Sequence, residues 1–184
     1  MNIIKTPLEG VLIIEPDVFE DSRGYFLETY QQKKYSALGI DPVFGQDNLS
    51  CSVRGTLRGL HYQLNRPQAK LVQAVKGVVF DVAVDIRVGS PMFGKWTGVE
   101  LSDVNRRQLF IPQGFAHGFS VLSETAYFIY KCSNFYDPED EEGILWSDPE
   151  VGIDWRVKNP LLSSKDALYA CLSKIPLNRL PVYK

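Results

Sequence analysis

The strongest periodicity in the chain lies between Phe80 and Arg87. Phe80, Val82, Val84 and Ile86 alternate with Asp81, Ala83, Asp85 and Arg87, the period of two expected of a strand with one face in a core. Shorter apolar runs recur at Val11 to Ile14, Tyr25 to Tyr30, Leu71 to Val75, Trp96 to Leu101, Leu109 to Ile111, Phe119 to Leu122 and Tyr127 to Tyr130. Turn-forming residues separate them, among them Gly45, Gly77, Gly89-Ser90-Pro91, Gly94, Ser102-Asp103, Pro112, Gly114 and Asp137-Pro138. Many short strands at this spacing predict a mostly β fold, an antiparallel barrel or jelly roll. Helical signal is weak, confined to Gln31 to Leu38 and a short stretch after Ser163. No internal repeat, low-complexity tract or linker interrupts the first 160 residues, so residues 1–184 read as a single domain. The charged run Asp137 to Glu142 reads as a solvated loop.

Composition narrows the partners. A chain 45% hydrophobic and 23% charged is that of a globular protein with a sizeable core. A net charge of −2 lacks the basic excess of a nucleic-acid binder, while a few local Arg and Lys residues would still hold a small anion. Cys51, Cys132 and Cys171 are an odd number with no CxxC pair, which favours reduced thiols over a disulfide framework. Neither a signal peptide nor an apolar stretch of membrane-spanning length is present, so a cytoplasmic protein with no membrane partner is expected.

The chain has only two histidines. His61 lies in Leu57-Arg58-Gly59-Leu60-His61-Tyr62-Gln63 and His117 in Pro112-Gln113-Gly114-Phe115-Ala116-His117. The series Gly55, His61, Gln63, Lys70, Gly77 resembles the first motif of the cupin superfamily, and Pro112 to His117 its second. That likeness implies a cupin-type antiparallel jelly-roll barrel with a few short helices, and His61, Lys70 and His117 in one cavity. Metal-binding cupins have a second histidine where this chain has Gln63 and a glutamate where it has Lys70. An ammonium repels a divalent ion, and two imidazoles without a carboxylate make a poor site, so neither metal nor cofactor is expected. A base beside a cation suits proton abstraction next to a carbonyl instead. Taken singly, His61 also reads as an ordinary strand histidine and Lys70 as an edge-strand charge.

Longer motifs follow one another along the chain: Asp21 to Glu28, Gln46 to Ser50, Leu57 to Gln63, Lys70 to Val72, Asp81 to Arg87, Ser90-Pro91, Phe93-Gly94, Ile111 to Phe119 and Tyr130-Lys131. In this order, from about Ile3 to Leu172, they resemble the dTDP-4-dehydrorhamnose 3,5-epimerase family. The resemblance implies cofactor-free epimerisation of dTDP-4-dehydro-6-deoxy-D-glucose at carbons 3 and 5. It makes His61 the base, Tyr130 the acid on the opposite ring face, Lys70 the partner of the enolate oxygen and Asp166 the residue that orients His61. By local pattern alone, Ser163 followed by Asp166 reads as a helix cap, and Tyr130 as an aromatic in an alternating strand.

The same resemblance assigns the substrate's remainder. No GxxxxGK[ST] loop is present, so side chains must hold a diphosphate. Arg23, Arg58 and Lys165 are the candidates, guanidinium forks being suited to phosphate oxygens. Glu28, Gln46, Asp47, Asn48 and Glu141 would contact base, ribose or sugar, Tyr136 would stack on thymine near Phe26, and His117 would meet the sugar end. The family further implies a homodimer in which Arg23 and Glu28, on an exchanged N-terminal segment, reach a neighbouring subunit's site. Two other readings stand beside this one: a mono-epimerase of a related dTDP-4-keto-deoxysugar, and a non-catalytic cupin that binds sugar nucleotides.

Overall fold

Strand alternation resolves into two facing antiparallel sheets. In the computed structural model, which describes residues 1–183, the first sheet has six strands and the second five. In chain order the strands are β1 (Asn2–Lys5), β2 (Leu12–Glu15), β3 (Val18–Asp21), β4 (Gly24–Leu27), β5 (Gln46–Val53), β6 (Leu57–Gln63), β7 (Lys70–Lys76), β8 (Val78–Asp85), β9 (Trp96–Ser102), β10 (Gln108–Ile111), β11 (Phe115–Val121), β12 (Thr125–Cys132) and β13 (Glu141–Gly143). One α-helix, α1 (Gln32–Ser36), and two 3₁₀ turns, Leu172–Lys174 and Leu177–Arg179, complete the elements. The six-stranded sheet runs β1-β2-β10-β7-β12-β5 and the five-stranded one β13-β6-β11-β8-β9. Connections such as β5 to β6, β7 to β8 and β11 to β12 step from one sheet to the other.

The expected barrel is corrected here. The two sheets are not closed on each other: β1 and β5 end one, β13 and β9 the other. They are joined by packed side chains rather than by a continuous hydrogen-bond ladder, and alternation along a strand is identical in either case. Val72, Ala74, Leu109, Ile111 and Phe128 of the first sheet meet Val79, Ala83, Val99, Leu101 and Phe119 of the second. The rings of Phe119 and Phe128 stack at 4.3 Å across that interface.

β8 differs from its expected single buried face. Phe80, Val82, Val84 and Ile86 do turn into apolar surroundings, but these are on the outer side of the five-stranded sheet. There the chain after β13 covers them with Ile144, Val151, Trp155, Leu172 and Leu180. Val79 and Ala83, on the other side, belong to the core between the sheets, and Asp81 and Asp85 are fully buried with them. The covering segment is tied down by Ser120 Oγ donating to the Trp155 carbonyl at 2.7 Å and by the Leu172 N–H donating to Asp148 at 2.6 Å. The outer side of the six-stranded sheet is covered at one end only, where Tyr35 and Ile40 pack on Ile14, Leu71 and Phe110.

Two further expectations change. The Asp137 to Glu142 run is not a solvated loop: Asp140 is buried, accepts from the backbone N–H groups of Asn65 and Arg66 at 2.9 and 2.7 Å, and leads into β13. The helix expected after Ser163 is a hydrogen-bonded turn. By contrast, β3 and β4 pair only with each other, and this ribbon carries Phe19 and Phe26 at 65% and 68% exposure. No helix among the described residues is long and apolar enough to cross a membrane.

Candidate active site

β6 brings His61 between β13 and β11, opposite Gly143 on one side and His117 on the other. The strands approach closely at this point because Gly59 has no side chain. At its φ of +109°, a β-carbon would fall 2.6 Å from the Gly118 Cα and the His117 carbonyl oxygen. His61 Nε2 lies 2.5 Å from Asp166 Oδ1. Asp166 is buried, which pushes its carboxyl up, but hydrogen bonds from His61, the Ser163 hydroxyl and the Gly59 N–H outweigh burial and hold it below the usual aspartate value. With an ionised Asp166 accepting from Nε2–H, the basic nitrogen of the ring is Nδ1, which is 3.6 Å from Glu141 Oε1. The Asp166 N–H also donates to Ser163 Oγ at 3.1 Å, the contact expected from the cap pattern.

The facing wall belongs to the six-stranded sheet. Tyr130 on β12, Lys70 on β7 and Asn48 and Ser50 on β5 line the same cavity as His61, a space of about 420 Å³ that lies within the usual range for small-molecule sites. Burial raises the Tyr130 phenol, Cys132 adds to this and Arg58 opposes it, so the phenol is protonated at neutral pH. Burial also lowers the Lys70 ammonium, with Cys132 and Asp81 pulling it back. Behind them His117 Nε2 sits 3.0 Å from each oxygen of Asp81. Burial lowers the imidazole and raises the carboxyl, in each case against the pull of the other, so the low-dielectric setting disfavours charge on this pair.

At the cavity mouth, polar groups occupy one another. Tyr136 donates its hydroxyl to Glu141 at 3.0 Å, Lys165 pairs with the same carboxylate, and Gln46 accepts from the Tyr136 N–H at 2.8 Å. The Arg58 guanidinium reaches Ser52 Oγ at 3.1 and 3.2 Å. The cupin metal positions hold His61, Gln63, Lys70 and His117, and Gln63 is committed to the loop carbonyls of Arg66 and Phe135. Among the described residues, no group of three or more His, Cys, Asp or Glu is placed to hold a metal ion.

The chain as a whole has clear counterparts among known proteins. The family model for dTDP-4-dehydrorhamnose 3,5-epimerase matches residues 5–174. The chain belongs to the dTDP-4-dehydrorhamnose 3,5-epimerase family. The epimerase of that name from Shigella flexneri is 60% identical over 168 residues, covering 90% of this chain and 93% of the relative. The one from Methanothermobacter thermautotrophicus is 51% identical over 99% of this chain and 97% of its own length. Among solved structures, the dTDP-6-deoxy-D-glucose-3,5-epimerase of Legionella pneumophila in complex with dTDP-4-keto-L-rhamnose superposes with a TM-score of 0.98. Its identity is 52%, over 100% of this chain and 98% of that one.

Of the residues expected at this epimerase-family site, His61, Lys70, Tyr130, Asp166, Gln46, Asn48, Arg58, His117, Tyr136, Glu141 and Lys165 line the cavity. Arg23, Phe26, Glu28 and Asp47 do not. Asp47 follows Gln46 in an extended strand, so it turns to the opposite face, where it accepts from Lys131 at 2.8 Å. Arg23 and Phe26 stand on the β3–β4 ribbon, with Arg23 paired to its neighbour Asp21 at 2.6 Å, and Glu28 accepts from Lys34 at 2.8 Å. Asp81 and Ser50 were missed by sequence reasoning. Ser50 Oγ is buried with no partner and belongs to the cavity lining. The alternation Gln46, Asn48, Ser50 carried a signal for it, whereas nothing local links Asp81 to His117.

Proposed function

We propose that His61 and Tyr130 act as base and acid from opposite sides of a 4-keto sugar, using the same pair at both carbons. The chain is an isomerase that epimerises dTDP-4-keto-6-deoxyglucose at carbons 3 and 5 to give dTDP-4-keto-L-rhamnose. His61 Nδ1 takes the proton from a carbon next to the carbonyl, and the bonding pair moves into an enolate. Lys70 neutralises the oxygen on which that charge collects. Tyr130 then delivers its proton to the other ring face, a favourable transfer because an enolate is a far stronger base than a phenolate. Solvent exchange returns His61 to its neutral form and Tyr130 to its phenol. Asp166 keeps the His61 proton on Nε2 and stabilises the transient imidazolium. No hydride or electron moves, so the scheme needs no cofactor.

The single observation that supports this reading is the placement of the two groups on facing sheets across one cavity, His61 on β6 and Tyr130 on β12. Inversion requires removal and return of a proton on opposite faces, and one residue alone would return it where it came from. For the nucleotide, the proposal assigns Arg58 and Lys165 to the diphosphate, Tyr136 to the thymine ring, and Gln46, Asn48 and Glu141 to ribose, base or sugar, with His117 at the sugar end. Since the cavity draws on elements from β5 to the Ser163 turn, we read the chain as one working domain. Its three cysteines are all free thiols, which suits a cytoplasmic site of action.

Arg23, Phe26 and Glu28 enter the scheme through a homodimer in which the β3–β4 ribbon crosses to the partner's cavity. Two features support it: the two strands of the ribbon pair only with each other, and the outer face of β5 and β12 leaves Leu49, Val53 and Tyr127 at 65%, 57% and 37% exposure. The deciding experiment is proton NMR of the protein with its 4-keto substrate in heavy water. Loss of signal at carbons 3 and 5, abolished by His61→Asn with dTDP affinity kept within a few-fold, is the expected result. Near-normal exchange in that variant would make another residue the base.

A further inference from the structure

Tyr169 is unused by the scheme above, yet its ring lies against the proposed base. The ring centroids of Tyr169 and His61 are 5.8 Å apart, with planes at 70°, the edge-to-face geometry that aromatic pairs favour. The opposite strand makes room for it. Gly143 is the β13 residue paired with His61, and a β-carbon there would sit 2.4 Å from two Tyr169 ring atoms. The Tyr169 hydroxyl is buried without a hydrogen-bond partner, an arrangement that costs stability and calls for a reason. Burial, reinforced by the charge of Asp166, raises this phenol and keeps it neutral.

Resting on the reading of His61 as base, we infer that the Tyr169 ring is a positioning residue that fixes the imidazole plane. Asp166 alone cannot do so, because a single hydrogen bond to Nε2 leaves the ring free to pivot about that bond. Tyr169 fills the space into which it would swing. One short segment supplies both constraints. The turn from Ser163 carries Asp166, and the Leu145 N–H donates to the Ala170 carbonyl at 2.9 Å, anchoring the backbone just beyond Tyr169. Tyr169 is not part of the cavity lining, so it acts on the substrate only through His61.

The test compares Tyr169→Phe, Tyr169→Ala, Gly143→Ala and His61→Asn for kcat, KM, dTDP affinity and deuterium incorporation at carbons 3 and 5. A misplaced reacting group costs up to about 100-fold in rate. Tyr169→Ala should therefore lower kcat and the exchange rate by roughly 10- to 100-fold, while KM and dTDP affinity stay within about two-fold. Tyr169→Phe keeps the ring and should restore turnover to about two-fold of the unaltered enzyme. Gly143→Ala pushes the ring aside without touching its chemistry and should match Tyr169→Ala, which carries the test if the latter fails to fold. A folded Tyr169→Ala or Gly143→Ala protein with unchanged kcat overturns the inference. So does a Tyr169→Phe enzyme as slow as Tyr169→Ala, since the hydroxyl would then be the working group. Normal turnover in His61→Asn would instead remove the base assignment on which the inference rests.

Discussion

Replacing Asp166 by asparagine isolates what the carboxylate does for His61. The side-chain volume hardly changes, and the turn that holds it is kept by backbone contacts. In the native site the carboxylate accepts from His61 Nε2, and the Ser163 hydroxyl and the Gly59 N–H also help to hold it ionised. An amide has one acceptor oxygen to share among them. Whenever its NH₂ faces His61, the ring must accept at Nε2 and carry its proton on Nδ1, where the base is needed. The imidazolium formed on proton abstraction also loses its counter-charge. With N···O at 2.5 Å in the native pair, charge centres about 4 Å apart interact by about 4 kcal/mol at an effective dielectric constant of about 20. That corresponds to about three decades in rate. Asp166→Asn should thus lower kcat by about 10³-fold, and by up to about 10⁴-fold with the tautomer effect included. KM should stay within about three-fold, because in the proposed scheme Asp166 orients the base and does not touch the nucleotide. The assay is turnover coupled to a downstream ketone reductase, with deuterium incorporation as a direct readout and a melting curve with dTDP to verify folding. A folded variant within ten-fold of the native kcat would refute the orienting role of Asp166.

Tyr130→Phe should separate the half-reactions: solvent deuterium still enters at carbons 3 and 5 while inverted product is lost, as followed by NMR. If inverted product forms at the native rate, the acid lies elsewhere. Mixing Arg23→Ala with His61→Asn subunits should rescue activity to roughly a quarter of the native level, since an exchanged ribbon in a two-fold dimer leaves one complete site per mixed pair. No rescue after subunit exchange would return Arg23 to its own chain. Stability should also fall in acid. Burial pushes Asp85, Asp140 and Asp166 up, but Arg87 and Ser90, the Asn65 and Arg66 N–H groups, and His61 respectively outweigh it, and all three sit below the usual aspartate value. Each therefore binds its proton less readily in the folded state. Their contribution is complete above the unfolded value of about 3.9 and is lost as pH falls through the lower folded values. Urea midpoints should drop as pH falls below about 4, and a flat profile from about pH 5 to about pH 3 would contradict the assignment.

Legibility followed the hydrophobic pattern. β7, β8 and β12 were visible because their apolar residues face the core between the sheets or the covering layer behind one of them. β5 was not, because Gln46, Asn48 and Ser50 on its inward face line a cavity instead of a core, while Leu49 and Val53 are exposed on the other. The His61 and His117 motifs were readable as spacings, and strand pairing does bring these two residues opposite each other. Asp81 was hidden by its own strand: a carboxylate alternating with valines looks solvent-facing until a second sheet closes over it. Asp166 is 105 residues from His61, so only the fold reveals their contact, whereas its cap is local and was plain in the sequence. Sheet closure leaves no trace in alternation at all, since an open edge and a paired one bear the same side chains.

The reversed polarity of β5 places a polar, cavity-lining face and an exposed apolar face back to back on one backbone. Gln46, Asn48 and Ser50 line the cavity, and Leu49, Cys51 and Val53 are exposed on the other side of the sheet. A slip of this strand by one position against β12 would carry every side chain to the other face. Polar groups meant for ligand would then lie on the outer surface, and Leu49, Cys51 and Val53 would fill the cavity. A change of length within β5 should therefore cost more than a substitution, unless a turn at either end absorbs it.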